Sequence, residues 1–193
     1  MSTIISKTRE TKETSVALQL NVDGEKNVSV TTGLKFFDHL LEQLAFHGGW
    51  DLLLQANGDI DVDDHHMIED VAIVLGDALN DIRQSRSGLT RYGQRLLPMD
   101  STLVLCAVDL DGRGHCVTDL PFTREAVGGI ATEMWPHFFK TLASRGQFSL
   151  HLKTMYFDNH HHLIEASFKA LARALREALN QNGNSINSTK GTL

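Results

Sequence analysis

The chain has 193 residues and a formal net charge of −6, from 18 lysines and arginines against 24 aspartates and glutamates. Hydrophobic residues make up 41% and charged residues 22%, an ordinary globular balance in a length that supports one substantial domain or two small fused ones without disulfide or metal staples. The acidic excess argues against a nucleic-acid binder, which would carry a basic surface; no apolar run approaches the ~18 residues of a membrane span, and the polar start Ser2-Thr3-Ile4-Ile5-Ser6-Lys7 is not a signal peptide.

In chain order, Val16, Leu18, Leu20 and Val22 alternate with other residues, meet a turn signal at Asp23-Gly24, and are followed by Val28 and Val30. The pattern predicts a β-hairpin. Phe36 to His47 predicts a helix stopped by Gly48-Gly49, and Trp50 to Ala56 a strand. After a pair of histidines, Val71, Val74, Leu75, Ala78, Leu79 and Ile82 recur at helical spacing. Val108-Asp109-Leu110-Asp111-Gly112 then repeats the strand-and-turn opening. Pro136 suits the first turn of a helix running to about Ala143. Phe148, Leu150 and Leu152 alternate as a strand, and Ile164, Phe168, Leu171, Leu175 and Leu179 predict a long amphipathic helix. Gln181 to Leu193, rich in Asn, Ser, Gly and Thr, predicts a flexible end. Cys106 and Cys116 fall in apolar stretches that read as strands and serve as small hydrophobes.

The order hairpin, helix, strand, histidine pair, helix occurs twice. His65-His66-Met67-Ile68-Glu69 matches His161-His162-Leu163-Ile164-Glu165, and Phe36-Phe37 matches Phe138-Phe139. Duplication explains this better than chance. The expected organisation is a first α+β repeat over 1–92, a second over 93–182 and a tail over 183–193, the two repeats forming one domain. Each repeat is a small sheet backed by two helices.

Ten histidines are the compositional outlier. On a helix, residues three and four apart share a face, so both histidines of each pair lie within reach of the glutamate. Adjacent rings diverge by roughly 100° at ~3.6 residues per turn, which directs the two rings of a pair to two different ions. His39 and His137, on the preceding helices, supply a third histidine to each set. Six histidines and two glutamates then give three imidazoles and one carboxylate per ion, with open positions for catalysis. Zinc, iron, nickel and manganese all suit such donors. His47 lies two helical turns from His39, in position to line the same pocket. Lys169, on the stripe of His161 and Glu165, needs an anionic group between itself and a metal, and Arg91 and Arg113 are further candidates for binding an anion such as phosphate.

The runs Phe37-Asp38-His39-Leu40-Leu41-Glu42-Gln43-Leu44-Ala45-Phe46-His47-Gly48-Gly49, Asp63-Asp64-His65-His66-Met67-Ile68-Glu69-Asp70 and His161-His162-Leu163-Ile164-Glu165-Ala166, with Phe168-Lys169-Ala170 and the ending Ser188-Thr189-Lys190-Gly191, strongly resemble the imidazoleglycerol-phosphate dehydratase family of histidine biosynthesis, in its monofunctional form. The resemblance implies a duplicated α+β fold like domain 2 of ribosomal protein S5, each half a mostly antiparallel four-stranded sheet backed by two helices. It implies a cytoplasmic homo-oligomer of 24 subunits with sites between subunits. It implies two Mn2+ per active site, with ligands matching His39, His65, His66, Glu69, His137, His161, His162 and Glu165. Substrate contacts match Glu13, His39, Gln43, His47, Arg91, Arg113, His161, Lys169, Ser188, Thr189 and Lys190, the tail becoming ordered around substrate. The implied reaction dehydrates imidazole-glycerol phosphate to imidazole-acetol phosphate through a metal-stabilised imidazolate and a diazafulvene-like intermediate, with Glu13, His47 and Glu165 as catalytic candidates. His160 extends the second histidine run to three; Glu165 fixes the register, because the spacing works only from His161.

Overall fold

The computed structural model describes residues 4–183. Strand β1 (Ile5–Glu10) pairs antiparallel with β2 (Thr14–Asn21), and β3 (Val28–Thr31) leads into helix α1 (Lys35–Gly48). Strand β4 (Asp51–Gly58) follows and inserts between β2, antiparallel, and β3, parallel. Helix α2 (His65–Ser85) closes the half. The second half runs β5 (Tyr92–Met99), β6 (Thr102–Asp109), β7 (Cys116–Asp119), a small hairpin of β8 (Ala126–Val127) and β9 (Ile130–Ala131), α3 (Met134–Gly146), β10 (Ser149–Tyr156) and α4 (His160–Ala178). The sheet orders β1-β2-β4-β3 and β5-β6-β10-β7 are the same topology twice, each with one parallel pair.

The hairpin expected at Asp23-Gly24 is therefore a correction. The two strands flanking that turn are separated by β4, whose Asp51 side chain instead receives the N–H groups of Glu25 and Asn27 at 2.8 Å. Strand β1 carries no apolar alternation, since only its first residue, Ile5, is apolar, as suits an edge strand.

Alternation decides the layering. Val16, Leu18 and Leu20 of β2 are buried and alternate with exposed Ser15, Ala17 and Gln19, and Val104, Cys106 and Val108 of β6 are buried between half-buried neighbours. Helix α2 covers β1 and β2, α4 covers β5 and β6, and the helical layers meet, α1 on α4 and α2 on α3. The result is sheet, helices, helices, sheet. Phe37, Phe138 and Phe168 are fully buried at this seam, with Phe37 edge-on to Phe138 at 5.6 Å and Phe138 stacked on Phe168 at 5.0 Å. Each such ring contributes about 1.5–3 kcal/mol by leaving water. The start of the tail is paired rather than loose: Gln181 bridges Leu89, and the Asn182 N–H donates to the Gly88 carbonyl at 2.8 Å.

Candidate metal centres

Both histidine pairs open a helix, and a polar side chain just upstream sets each start. Asp63 accepts from the His65 N–H at 2.8 Å. Asn159 accepts from the N–H groups of His161 and His162 at 2.8 and 3.3 Å. These side chains satisfy amides that the first helical turn cannot.

The seam between layers brings the ligand candidates together in crossed fashion. His39 of α1 joins His161 and Glu165 of α4, and His137 of α3 joins His65 and Glu69 of α2. In each triad one donor atom per residue lies within 4.8 Å of the others, a spacing that suits donors around one cation. His39 Nε2 and His161 Nε2 lie 3.3 and 3.0 Å from Glu165 Oε2; His137 Nε2 lies 3.2 Å from Glu69 Oε1. The second histidine of each pair turns away. His65 and His66 have interplanar angle 81° and centroids 6.2 Å apart, His161 and His162 84° and 6.0 Å. His66 Nδ1 rests 3.1 Å from Asp59, and its Nε2 points toward Glu13 at 3.9 Å. His162 Nδ1 is buried without a hydrogen-bond partner, and its Nε2 is 3.7 Å from Asp100.

The triads differ in electrostatics. Glu165 is nearly buried, and Lys169 grips its other oxygen at 2.6 Å. Burial by itself raises the carboxyl pKa, but the Lys169 bond and charge, with bonds from His39 and His161, outweigh it and hold the group at about 2. Glu69 is 38% exposed and has Ile73, not a lysine, four residues on. His47 is half-buried, and burial followed by the charges of Lys169 and Arg173 pushes its pKa down, keeping the ring neutral near pH 7 and able to accept a proton. Gln43 is half-buried on the same helix.

Arg91 and Arg113 stand elsewhere. The Arg91 N–H bonds the Ala178 carbonyl, roughly 25 Å along α4 from His161 at ~1.5 Å per residue, and its guanidinium forks onto Asp109 at 2.7 and 3.2 Å. Arg113 pairs with Asp111 at 2.8 Å; its neighbour Gly112 bonds Gln147 just beyond α3. Both sit at helix ends opposite the triad histidines, Arg91 beside Ala178 of α4 and Arg113 next to the residue that bonds Gln147 after α3. Ser188, Thr189 and Lys190 lie outside the described residues. The carboxylates Asp59 and Asp100, beside His66 and His162, belong to neither His-His-x-x-Glu run. Repeat symmetry carried a signal for Asp100, which occupies the β5–β6 turn beside His162 as Glu13 occupies the β1–β2 turn beside His66.

A duplicated α+β chain with two carboxylate–imidazole triads at its seam carries two donor sets that could each hold a cation. Comparison with known proteins is specific. The family described as imidazoleglycerol-phosphate dehydratase matches residues 32–175. An imidazoleglycerol-phosphate dehydratase of Chlorobium chlorochromatii (strain CaD3) is 46% identical, covering 96% of this chain and 94% of the relative. A histidine biosynthesis bifunctional protein of Legionella pneumophila (strain Lens) is 49% identical over 96% of this chain but only 52% of its own length. The crystal structure of the Staphylococcus aureus enzyme superposes with TM-score 0.85 at 32% identity, over 93% of this chain and 100% of that one. The chain belongs to the imidazoleglycerol-phosphate dehydratase family, and so to the hydro-lyases that perform a dehydration step in histidine biosynthesis.

Proposed function

We propose that this chain dehydrates D-erythro-imidazole-glycerol phosphate to imidazole-acetol phosphate at two Mn2+ ions held between subunits of a homo-oligomer of 24. The carrying observation is the split of each histidine pair: one ring completes a triad within the chain, and the other turns away with its Nε2 outside that triad. His66 and His162 then serve as fourth ligands to triads of neighbouring subunits. Among the described residues no helix is long and apolar enough to cross a membrane, and the cytoplasm is the proposed location.

His39, His161 and Glu165 would hold one ion, and His65, Glu69 and His137 the other; when bound, they would supply Lewis acidity to the substrate imidazole. The carbon that must lose a proton has no adjacent carbonyl, so the ring provides the electron pair. The imidazole loses its N–H proton, and the resulting imidazolate expels the neighbouring hydroxyl, which leaves with a proton as water. The diazafulvene-like product acidifies the next C–H. Glu13, exposed and beside His66, takes that proton, with neutral His47 as the other candidate. Return of a proton to the ring and ketonisation complete a net loss of one water. Lys169, with Arg91, Arg113, Ser188, Thr189 and Lys190 from the assembled shell, anchors the phosphate away from the reacting carbons.

The test is an assay of purified protein with imidazole-glycerol phosphate, with and without chelator and added Mn2+. Formation of the ketone that depends on the metal supports the proposal. No ketone under any condition overturns it, and release of inorganic phosphate in its place would mark a metallohydrolase.

A further inference from the structure

One segment is asymmetric between the halves. Residues 32–34 suffice to join β3 to α1, whereas residues 120–133 separate β7 from α3. This longer connection carries the β8–β9 hairpin, turning at Gly128-Gly129, both with positive φ of 62° and 81°, a conformation that favours glycine. It reaches three ligand-bearing helices at once. The Ala131 N–H donates to Asp64 at 2.8 Å, immediately before His65. The Thr123 N–H donates to His160 Nε2 at 3.1 Å, immediately before His161. The Thr123 hydroxyl lies 3.0 Å from the same nitrogen, and the imidazole is bracketed by Phe122 and Phe157. Gly128 lies so close to Phe36 that a Cβ there would come within 2.4 Å of the ring. Phe36 in turn contacts His161 at 5.1 Å and His39 at 6.4 Å between ring centroids.

We propose that residues 120–133 are a clamp that fixes the position of each triad relative to the other, with His160 and Phe36 as positioning residues rather than metal ligands. His160 accepts a backbone N–H with the nitrogen a metal would need, so the third histidine of the run is committed to the clamp. Asp64 does the same for α2. A connection that grips the residue before each histidine pair controls where both pairs stand, without touching substrate. Groups that orient ligands in this way typically govern metal affinity by 10- to 100-fold.

The proposal rests on the two-metal reading, and the experiment separates the two. Mn2+ binding and the EPR coupling between bound ions are measured on the assembled protein for wild type, His160→Phe, Gly128→Ala and Asp64→Ala. His160→Phe keeps an aromatic ring between Phe122 and Phe157 but loses the acceptor. Metal-free thermal unfolding of each variant monitors the fold. The expected result is two ions per subunit in wild type, 10- to 100-fold weaker binding of one ion in His160→Phe and Gly128→Ala, weaker binding of the other in Asp64→Ala, and altered coupling in all three. Should Gly128→Ala not fold, His160→Phe and Asp64→Ala decide. Fewer than two ions in wild type would overturn the two-metal reading itself. Two ions in wild type with unchanged affinity and coupling in His160→Phe and Asp64→Ala would overturn the clamp alone.

Discussion

Glu69 and Glu165 occupy the same place in the two repeats, yet they should not cost the same to neutralise. In metal-free protein at pH 7, Glu165→Gln removes a carboxylate that is 8% exposed and leaves Lys169, 18% exposed, without its partner at 2.6 Å. The native carboxyl is held at about 2 against an ordinary 4.5, which corresponds to about 3 kcal/mol at ~1.36 kcal/mol per pH unit, in line with the cost of breaking a buried ion pair. Glu69→Gln alters a partly exposed group with no lysine partner among the described residues and should change metal-free stability by roughly 0.5 kcal/mol or less. The sign with pH follows from the depressed pKa. The Glu165 contribution is full above the unfolded value near 4.5 and is lost as pH falls toward about 2, so wild type and Glu165→Gln should converge in acid. Chelator-treated proteins at one fixed concentration would be unfolded in urea at pH 7 and again near pH 3. Equal losses for the two variants at pH 7, or a Glu165→Gln deficit that grows in acid, would refute the assignment of the asymmetry to Lys169.

Gly76→Ala places a Cβ 2.6 Å from the Arg145 Cβ and 3.0 Å from the Leu142 carbonyl oxygen, prising α2 from α3. Overpacking of ~1–3 kcal/mol against a helix gain of ~1 kcal/mol predicts a net loss of about 1 kcal/mol by denaturation, with weaker metal binding at the His65–Glu69–His137 triad by calorimetry. Glu13→Gln should retain both metals by elemental analysis while turnover falls ~10²–10⁴-fold, the usual worth of a general base. On the proposed assembly, in which His66 and His162 reach metal ions of neighbouring subunits, chelation should give smaller species by light scattering; an unchanged particle size would refute that bridging role. Asp111→Asn weakens a carboxylate that accepts from Ser149 and Arg113 at 2.6 and 2.9 Å. Burial acts to raise its pKa, but those bonds outweigh it and lower it, so the destabilisation should be largest at neutral pH and fade in acid.

The spacing within each His-His-x-x-Glu run was legible because helical periodicity is local. Given His-His-x-x-Glu at a helix start, the divergence of adjacent rings follows from geometry, and His65 and His161 do enter triads that exclude His66 and His162. The pairing of His39 with α4 and His137 with α2 was not legible, because it depends on how the two halves dock. The strand order failed for a related reason: Asp23-Gly24 has the composition of a tight turn, but β4, arriving some thirty residues later, takes the central place. Residues 120–133 have neither period 2 nor period 3.6, so nothing in their pattern announced what they touch. The buried alternation of β2 and β6 and the stripe of α4 were readable because burial on one face is written directly in the residues.

The crossed pairing also bears on origin. Each triad takes two ligands from one half and its third from the other, so neither half contains a complete triad. A single ancestral half-length chain could have built one only by docking face to face with a second copy of itself, α1 of each against the histidine helix of the other. The present halves are unequal: the second has a lysine beside its glutamate and a long connection before its first helix, and the first has neither.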